Sequence, residues 1–210
     1  MKYVRLRQEL VHNAEQKLQV ITDVVKMYPD KRFISFSQSV PFAEKVAKVL
    51  NEEQLITAIA YHSYIKPQPM YRDYNNNYSI TGKGEAAVIK SGKNKGEVKM
   101  FGITAIRASI EKAVLQGDIN FISSAEALDK GYDVPDINFA IISSQTANSN
   151  QYKQRRGRSV RIDTNKPETV AMILNLYCAN TIEYGTLREA QRGEDPSIVT
   201  NISLVEEIIV

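Results

Sequence analysis

The run Gln154-Arg155-Arg156-Gly157-Arg158-Ser159-Val160-Arg161 concentrates cationic chemistry in a short space. Gln151 to Arg161 holds five basic residues and no acid. Guanidinium is planar and permanently charged, and its fork of donors matches phosphate oxygens. A merely solvated helix face would mix signs, because like charges three or four residues apart repel. Arg155 with Arg158 and Arg158 with Arg161 are such pairs. The segment calls for phosphate, and two kinds suit it. One is the backbone of a nucleic acid. The other is a phosphoryl group in transfer, whose charge arginine fingers stabilise. The segment alone does not separate them.

A second loop lies about twenty residues upstream. Ala127-Leu128-Asp129-Lys130-Gly131-Tyr132-Asp133-Val134-Pro135 follows a strand ending at Ile122. Gly131 permits a turn of unusual φ, Asp133 offers a carboxylate to a ribose hydroxyl, and Pro135 fixes the exit.

The elements that must position these loops follow from periodicity. Leu10, Val11, Ala14, Leu18, Ile21 and Val25 recur at helical spacing and predict one helix from about Arg5 to Met27, closed by Pro29-Asp30. Phe33 to Phe36 reads as a strand. Ser39 and Pro41 open a helix with apolar Phe42, Ala43, Val46, Val49 and Leu50 and an expected Glu44–Lys48 pair. Leu55 to Tyr61 reads as a buried strand. Ile103, Ile106, Ile110 and Val114 form a helical stripe that stops at Gly117. Then come a strand at 119–122, a short helix or turn at 124–130, a strand at 137–143, and a helix from Gln151. A strand at 169–177 and a helix at 181–191 follow. Such alternation predicts an α/β fold, a parallel sheet with helices on both faces, whose ligands bind at the carboxyl ends of the strands. Ile198 to Val210 reads as a tail or extra strand.

Composition bounds the class. The chain of 210 residues is 43% hydrophobic and 24% charged, which suits a globular protein. A net charge of +3 does not by itself argue for nucleic acid. The lone Cys178 excludes an internal disulfide and a Cys-rich zinc site, and its apolar surroundings suit a structural thiol. His12 and His62 lack metal-ligand spacing, and no metal site is expected. No apolar stretch reaches the length of a membrane span, and the expected location is cytoplasmic.

The loops also carry a family resemblance. Leu128 to Pro135 and Gln154 to Arg161 resemble motifs V and VI of superfamily 2 helicases, in particular the branch reading Gln-Arg-Arg-Gly-Arg-x-x-Arg. Phe33-Ile34-Ser35-Phe36-Ser37 is similar to motif IV, and His62-Ser63 to the turn after the next strand. Arg107 is similar to the arginine opening the following helix. Asn175-Leu176-Tyr177 and Thr181-Ile182-Glu183 resemble the closing strand and helix. The likeness covers most of the chain outside Tyr64 to Met100.

The resemblance implies the second RecA-like domain, over 31–195, with 1–30 as a linker helix and 196–210 as a tail. It implies that Arg158 and Arg161 reach across a cleft to the γ-phosphate of ATP, with Gln154 and Arg155 supporting the nucleotide. Gly131 and Asp133 would face the ribose. Ser37, Gln38, His62, Ser124 and Ala125 would approach a nucleic-acid backbone, with DNA placed ahead of RNA. Ala125 stands where many members have Thr. The sequence has no Gly-x-x-x-x-Gly-Lys-Ser/Thr loop and no Asp-Glu pair after a strand. ATP with Mg²⁺ is therefore expected on a first RecA-like domain, in cis or trans, that this chain lacks, and the chain alone should be inactive. The competing expectation is a nucleic-acid-binding or adaptor module without ATPase activity.

Tyr64 to Lys99 departs from the alternation. It carries seven basic residues against three acids and reads as a polar insertion with one hairpin around Gly92 to Gly96. Tyr71, Arg72, Tyr74 and Tyr78 could stack on a single strand, or the segment could be a solvated loop.

Overall fold

The computed structural model describes residues 2–64, 68–72, 78–79, 85–125, 137–144 and 172–192. The loop with Gly131 and Asp133 lies outside the described residues. So do the segment with Gln154, Arg155, Arg158 and Arg161, Tyr74, and the 196–210 tail.

Five strands form the central sheet: β1 (Phe33–Ser37), β2 (Ala58–His62), β8 (Phe121–Ala125), β9 (Phe139–Ile142) and β10 (Met172–Asn175). Their order is β10-β9-β1-β8-β2, and every pairing is parallel. Parallel sheets are covered on both faces, so their strands read as near-continuous apolar runs. β1, β8 and β9 are buried along their whole length. On one face, Phe33, Ala58, Phe121, Phe139 and Ile141 pack against α2 (Glu15–Met27) and α3 (Val40–Glu52). On the other, Ile34, Phe36, Tyr61, Ile122 and Ile142 pack with Ile106, Ile110 and Val114 of α4 (Ile103–Leu115) and Leu187 of α5 (Ile182–Ala190). The expected parallel sheet with helices on both faces is the observed one.

Local signals placed several helix ends. Ser39 caps α3 by accepting from Phe42 N–H at 3.3 Å, and Pro41 sits in the first turn. Gly117 closes α4 at φ +76°. Thr181 caps α5, accepting from Glu183 N–H at 3.2 Å.

Three expectations need correction. The first helix is two: α1 (Lys2–His12) and α2 are separated at Asn13-Ala14, where Ala14 adopts φ −57°, ψ 128°. The apolar stripe runs through this break, so periodicity alone hides it. Ser124 and Ala125 belong to β8 rather than to a helix or turn, because the parallel ladder extends to Ser37↔Ala125 and His62↔Ala125. Glu44 faces His62 instead of Lys48, and Lys48 pairs with Glu52.

The insertion is built around short antiparallel pairs. β3 (Gln68–Pro69) pairs with β7 (Met100–Phe101), and β4 (Tyr71–Arg72) lies between β5 (Tyr78–Ser79) and β6 (Glu85–Ala86). Val88 bridges Val98, and the expected hairpin around Gly92 to Gly96 is present. Among the described residues, no helix is long and apolar enough to cross a membrane.

Candidate functional site

The carboxyl edge of the sheet is where polar side chains gather. Parallel register sets His62, Ala125 and Ser37 side by side at the ends of β2, β8 and β1. One position earlier, Tyr61, Ser124, Phe36, Ile142 and Asn175 form a row across all five strands. Successive strand residues point to opposite faces, so the two rows serve different sides of the sheet. Four of the five expected nucleic-acid residues thus converge on three neighbouring strands, and Gln38 follows directly after β1.

Burial divides them. Ser37 is 1% exposed and His62 4%, and Ser124 and Ala125 are equally enclosed, whereas Gln38 is half-buried. The Ser37 hydroxyl accepts from Ser39 N–H at 2.9 Å and donates to the Ser39 carbonyl at 3.2 Å. It therefore shapes the turn into α3. His62 Nε2 lies 3.2 Å from the Glu44 carboxylate. His62 Nδ1, Ser124 Oγ and Asn175 Oδ1 are buried and have no hydrogen-bond partner among the described residues. Buried polar atoms are ordinarily paired, so three orphans along one edge mark it as unusual.

On the α4 side, the Arg107 guanidinium lies 5.8 Å from the Tyr61 ring centre, a cation–π distance. Burial pushes the Tyr61 phenol above its ordinary range, Arg107 opposes that, and Glu111 adds to it.

A second polar assembly ties the edge to the N-terminal helices, and the motif reading missed it. Lys17 of α2 is buried, and its ammonium donates to the Ser143 carbonyl and to both Glu183 oxygens, each at 2.7 Å. Glu183 also accepts from Cys178 N–H at 2.9 Å. One ammonium thus joins α2, the end of β9 and the first turn of α5. His12 lies close by; burial holds its imidazole below the ordinary pKa, Glu183 opposes this, and Lys17 reinforces it. Burial raises the Cys178 thiol, with Lys17 opposing, so it lacks the depressed pKa of a reactive cysteine. The signal for Lys17 was present: it stands on the apolar stripe, three residues after Ala14 and four before Ile21.

Residues 103–163 match the family model of the helicase conserved C-terminal domain. No curated protein matches the chain in sequence. Solved structures share the fold. A DEAD-box protein from the hyperthermophile Methanococcus jannaschii superposes with TM-score 0.53 and 16% identity, covering 86% of this chain and 37% of that one. The C-terminal domain of the DEAD-box protein Dbp5 gives TM-score 0.57 and 13% identity over 87% of this chain and 80% of that one. The S. cerevisiae Dbp5 has been captured with RNA and ADP BeF3. The DUF1998 helicase MrfA, bound to DNA and AMPPNP, gives 0.52 and 15% over 83% of this chain and 20% of that one.

At these identities the structural likeness is one of fold. The family model and the fold together bear out the resemblance to the second RecA-like domain of superfamily 2 helicases. The present chain spans 37% of the length of the archaeal protein. With one neighbour bound to RNA and another to DNA, placing DNA ahead of RNA finds no support.

Proposed function

We propose that this chain is the C-terminal motor half of an ATP-dependent nucleic-acid helicase or translocase, acting in the cytoplasm with a first RecA-like domain. The observation that supports this reading most is the carboxyl edge. Ser37, His62, Ser124 and Ala125 meet there on β1, β2 and β8, with Gln38 directly after β1, in a chain whose 103–163 segment matches the helicase conserved C-terminal domain.

In this reading Gln38 touches the nucleic-acid backbone from its half-exposed position. Ser37, His62, Ser124 and Ala125 shape the edge from beneath. Arg158 and Arg161 donate to the γ-phosphate oxygens of a nucleotide held by the first domain. Guanidinium suits that task because its donors are fixed in a plane and its charge does not titrate. Gln154 and Arg155 brace the cleft, and Asp133 accepts from the ribose while Gly131 lets the loop approach it. ATP supplies the bond whose cleavage drives movement, and its Mg²⁺ belongs to the first domain. The Lys17–Ser143 contact fits the scheme, since it joins a linker helix to the end of the strand from which the chain continues toward the arginine segment.

The test is hydrolysis. The purified chain should release no phosphate from ATP above background, with or without nucleic acid. Joined to a phosphate-loop RecA-like domain, it should support nucleic-acid-stimulated turnover. Robust ATPase from the chain alone would refute the division of labour.

A further inference from the structure

The insertion between β2 and α4 begins and ends at the carboxyl edge of the sheet. It leaves after His62, the last residue of β2, and returns through β7 to Gly102, the residue before α4. Because α4 feeds β8, which runs parallel to β2, the first turn of α4 lies at the edge where the strands end. The insertion therefore enlarges the edge that carries the candidate nucleic-acid residues.

It is anchored to the body of the protein. Met70 and Phe101 are buried in the core cluster that contains Ile106 and Ile110, and Ala87 packs against the same cluster. Backbone bonds carry this order outward. Met70 N–H donates to the Lys99 carbonyl, Ala87 N–H to Met70, and Lys99 N–H to Ala87, at 2.9, 2.8 and 2.7 Å. Beyond the Val88–Val98 bridge, Ile89 N–H donates to Glu97 and Gly96 N–H to Ile89, both at 2.9 Å. Gly92 and Gly96 both sit at φ +92°, a conformation that side chains with a Cβ rarely adopt. The two glycines fix a tight turn whose tip is Lys93-Asn94-Lys95, with Lys90 on the stem. All three lysines are exposed. Among the described residues, no carboxylate pairs with Lys90, Lys93 or Lys95, although α2 and α3 pair theirs: Lys26 with Glu53, Lys45 with Glu15, Lys48 with Glu52.

We propose that the hairpin over residues 88–98 is a nucleic-acid phosphate grip, in which Lys90, Lys93 and Lys95 neutralise backbone phosphates of the strand passing the carboxyl edge. This rests on the functional reading above and extends it to a surface outside the helicase motifs. Lysine is a compact point charge that meets phosphate without reading bases. A grip of this kind is indifferent to sequence, which is what a motor moving along a strand requires. Charge complementarity favours a polyphosphate over an acidic protein face because a nucleic-acid strand offers one charge every ~3.4 Å along its axis.

The experiment measures binding of fluorescein-labelled tailed duplexes, one DNA and one RNA, by anisotropy across a salt series. It compares the wild-type chain, a Lys90→Gln/Lys93→Gln/Lys95→Gln variant, the corresponding triple Lys→Arg variant, and a control with Lys26→Gln, Lys45→Gln and Lys48→Gln on α2 and α3. Each lost phosphate contact lowers the slope of log affinity against log salt by ~0.7–0.9. The hairpin glutamine variant should lose about 2–3 from that slope on whichever nucleic acid the wild type binds. The arginine variant should keep it, and the α2/α3 control should stay near wild type. An unchanged slope in the glutamine variant, or an equal loss in the control, overturns the grip while leaving the motor reading intact. A wild type that binds neither DNA nor RNA overturns the motor reading and the grip together.

Discussion

The two ends of one sheet are built differently. At the amino end, aromatic rings pack across three strands. Phe33 of β1 stacks on Phe121 of β8 and Phe139 of β9, with ring centres 5.7 and 5.0 Å apart, and Tyr28 closes on Phe139 at 4.8 Å. At the carboxyl end of the sheet lie Ser37, His62, Ser124 and Asn175, in the last two positions of β1, β2, β8 and β10, and Ser143 directly after β9. Several polar atoms there are buried without a partner among the described residues. Burying a polar group without a hydrogen bond costs free energy, whereas burying an aromatic ring gains it. One end is therefore fitted for stability. The other holds groups that stability would not select, at the edge where open α/β sheets bind their ligands.

That contrast can be broken by mutation. The largest loss of stability should follow Phe33→Ala, which removes the ring shared by both stacks. A large-to-small change of this kind in a core costs about 3–5 kcal/mol. Urea unfolding reads it, and a loss below ~1 kcal/mol would show that the aromatic row is not what secures the amino end. At the carboxyl end, Lys17→Met strands the buried Glu183 carboxylate and should cost about 3 kcal/mol. Adding Glu183→Leu should recover most of that loss, because an apolar pair needs no compensation for buried charge. A double variant as unstable as the single would show that Lys17 acts through packing instead of its charge.

The smallest effect concerns pH. Burial depresses the folded-state pKa of His12 below the ordinary value of 6.5, so the unfolded chain takes up the proton first as pH falls. The associated stability is present above the unfolded pKa and is lost as pH drops through that value toward the folded one. His12→Gln should flatten the fall in urea midpoint between about pH 7.5 and 5. An unaltered pH profile would remove His12 from the assembly around Lys17 and Glu183.

Much of the fold was legible because its signals are local. The apolar runs at Phe33, Phe121 and Phe139 mark strands buried on both faces. Ser39-Val40-Pro41 and Gly117 mark helix ends by capping chemistry and backbone freedom. What escaped was of two kinds. The break at Asn13-Ala14 leaves the apolar period undisturbed, so no pattern reveals it. The Lys17–Glu183 pair joins positions 166 residues apart, and only the folded chain brings them together. The candidate site was legible in residue type but not in exposure. Ser37, His62 and Ser124 share the carboxyl edge because parallel register aligns their strand ends, yet nothing in their spacing says that the chain itself encloses them. Gly131, Asp133, Gln154, Arg155, Arg158 and Arg161 lie outside the described residues, and their roles rest on the sequence and its family resemblance.

Arg158 is the sharpest point of the account. In the chain joined to a phosphate-loop RecA-like domain, the measurement is the turnover number for ATP with Arg158→Ala, alongside nucleic-acid affinity at fixed salt. Arginine fingers contribute ~10³–10⁵ in rate in phosphoryl-transfer enzymes. Turnover should collapse by at least ~10³-fold while nucleic-acid binding persists. Unchanged turnover, with affinity lost instead, would make the arginine segment a backbone-binding patch and the chain an adaptor.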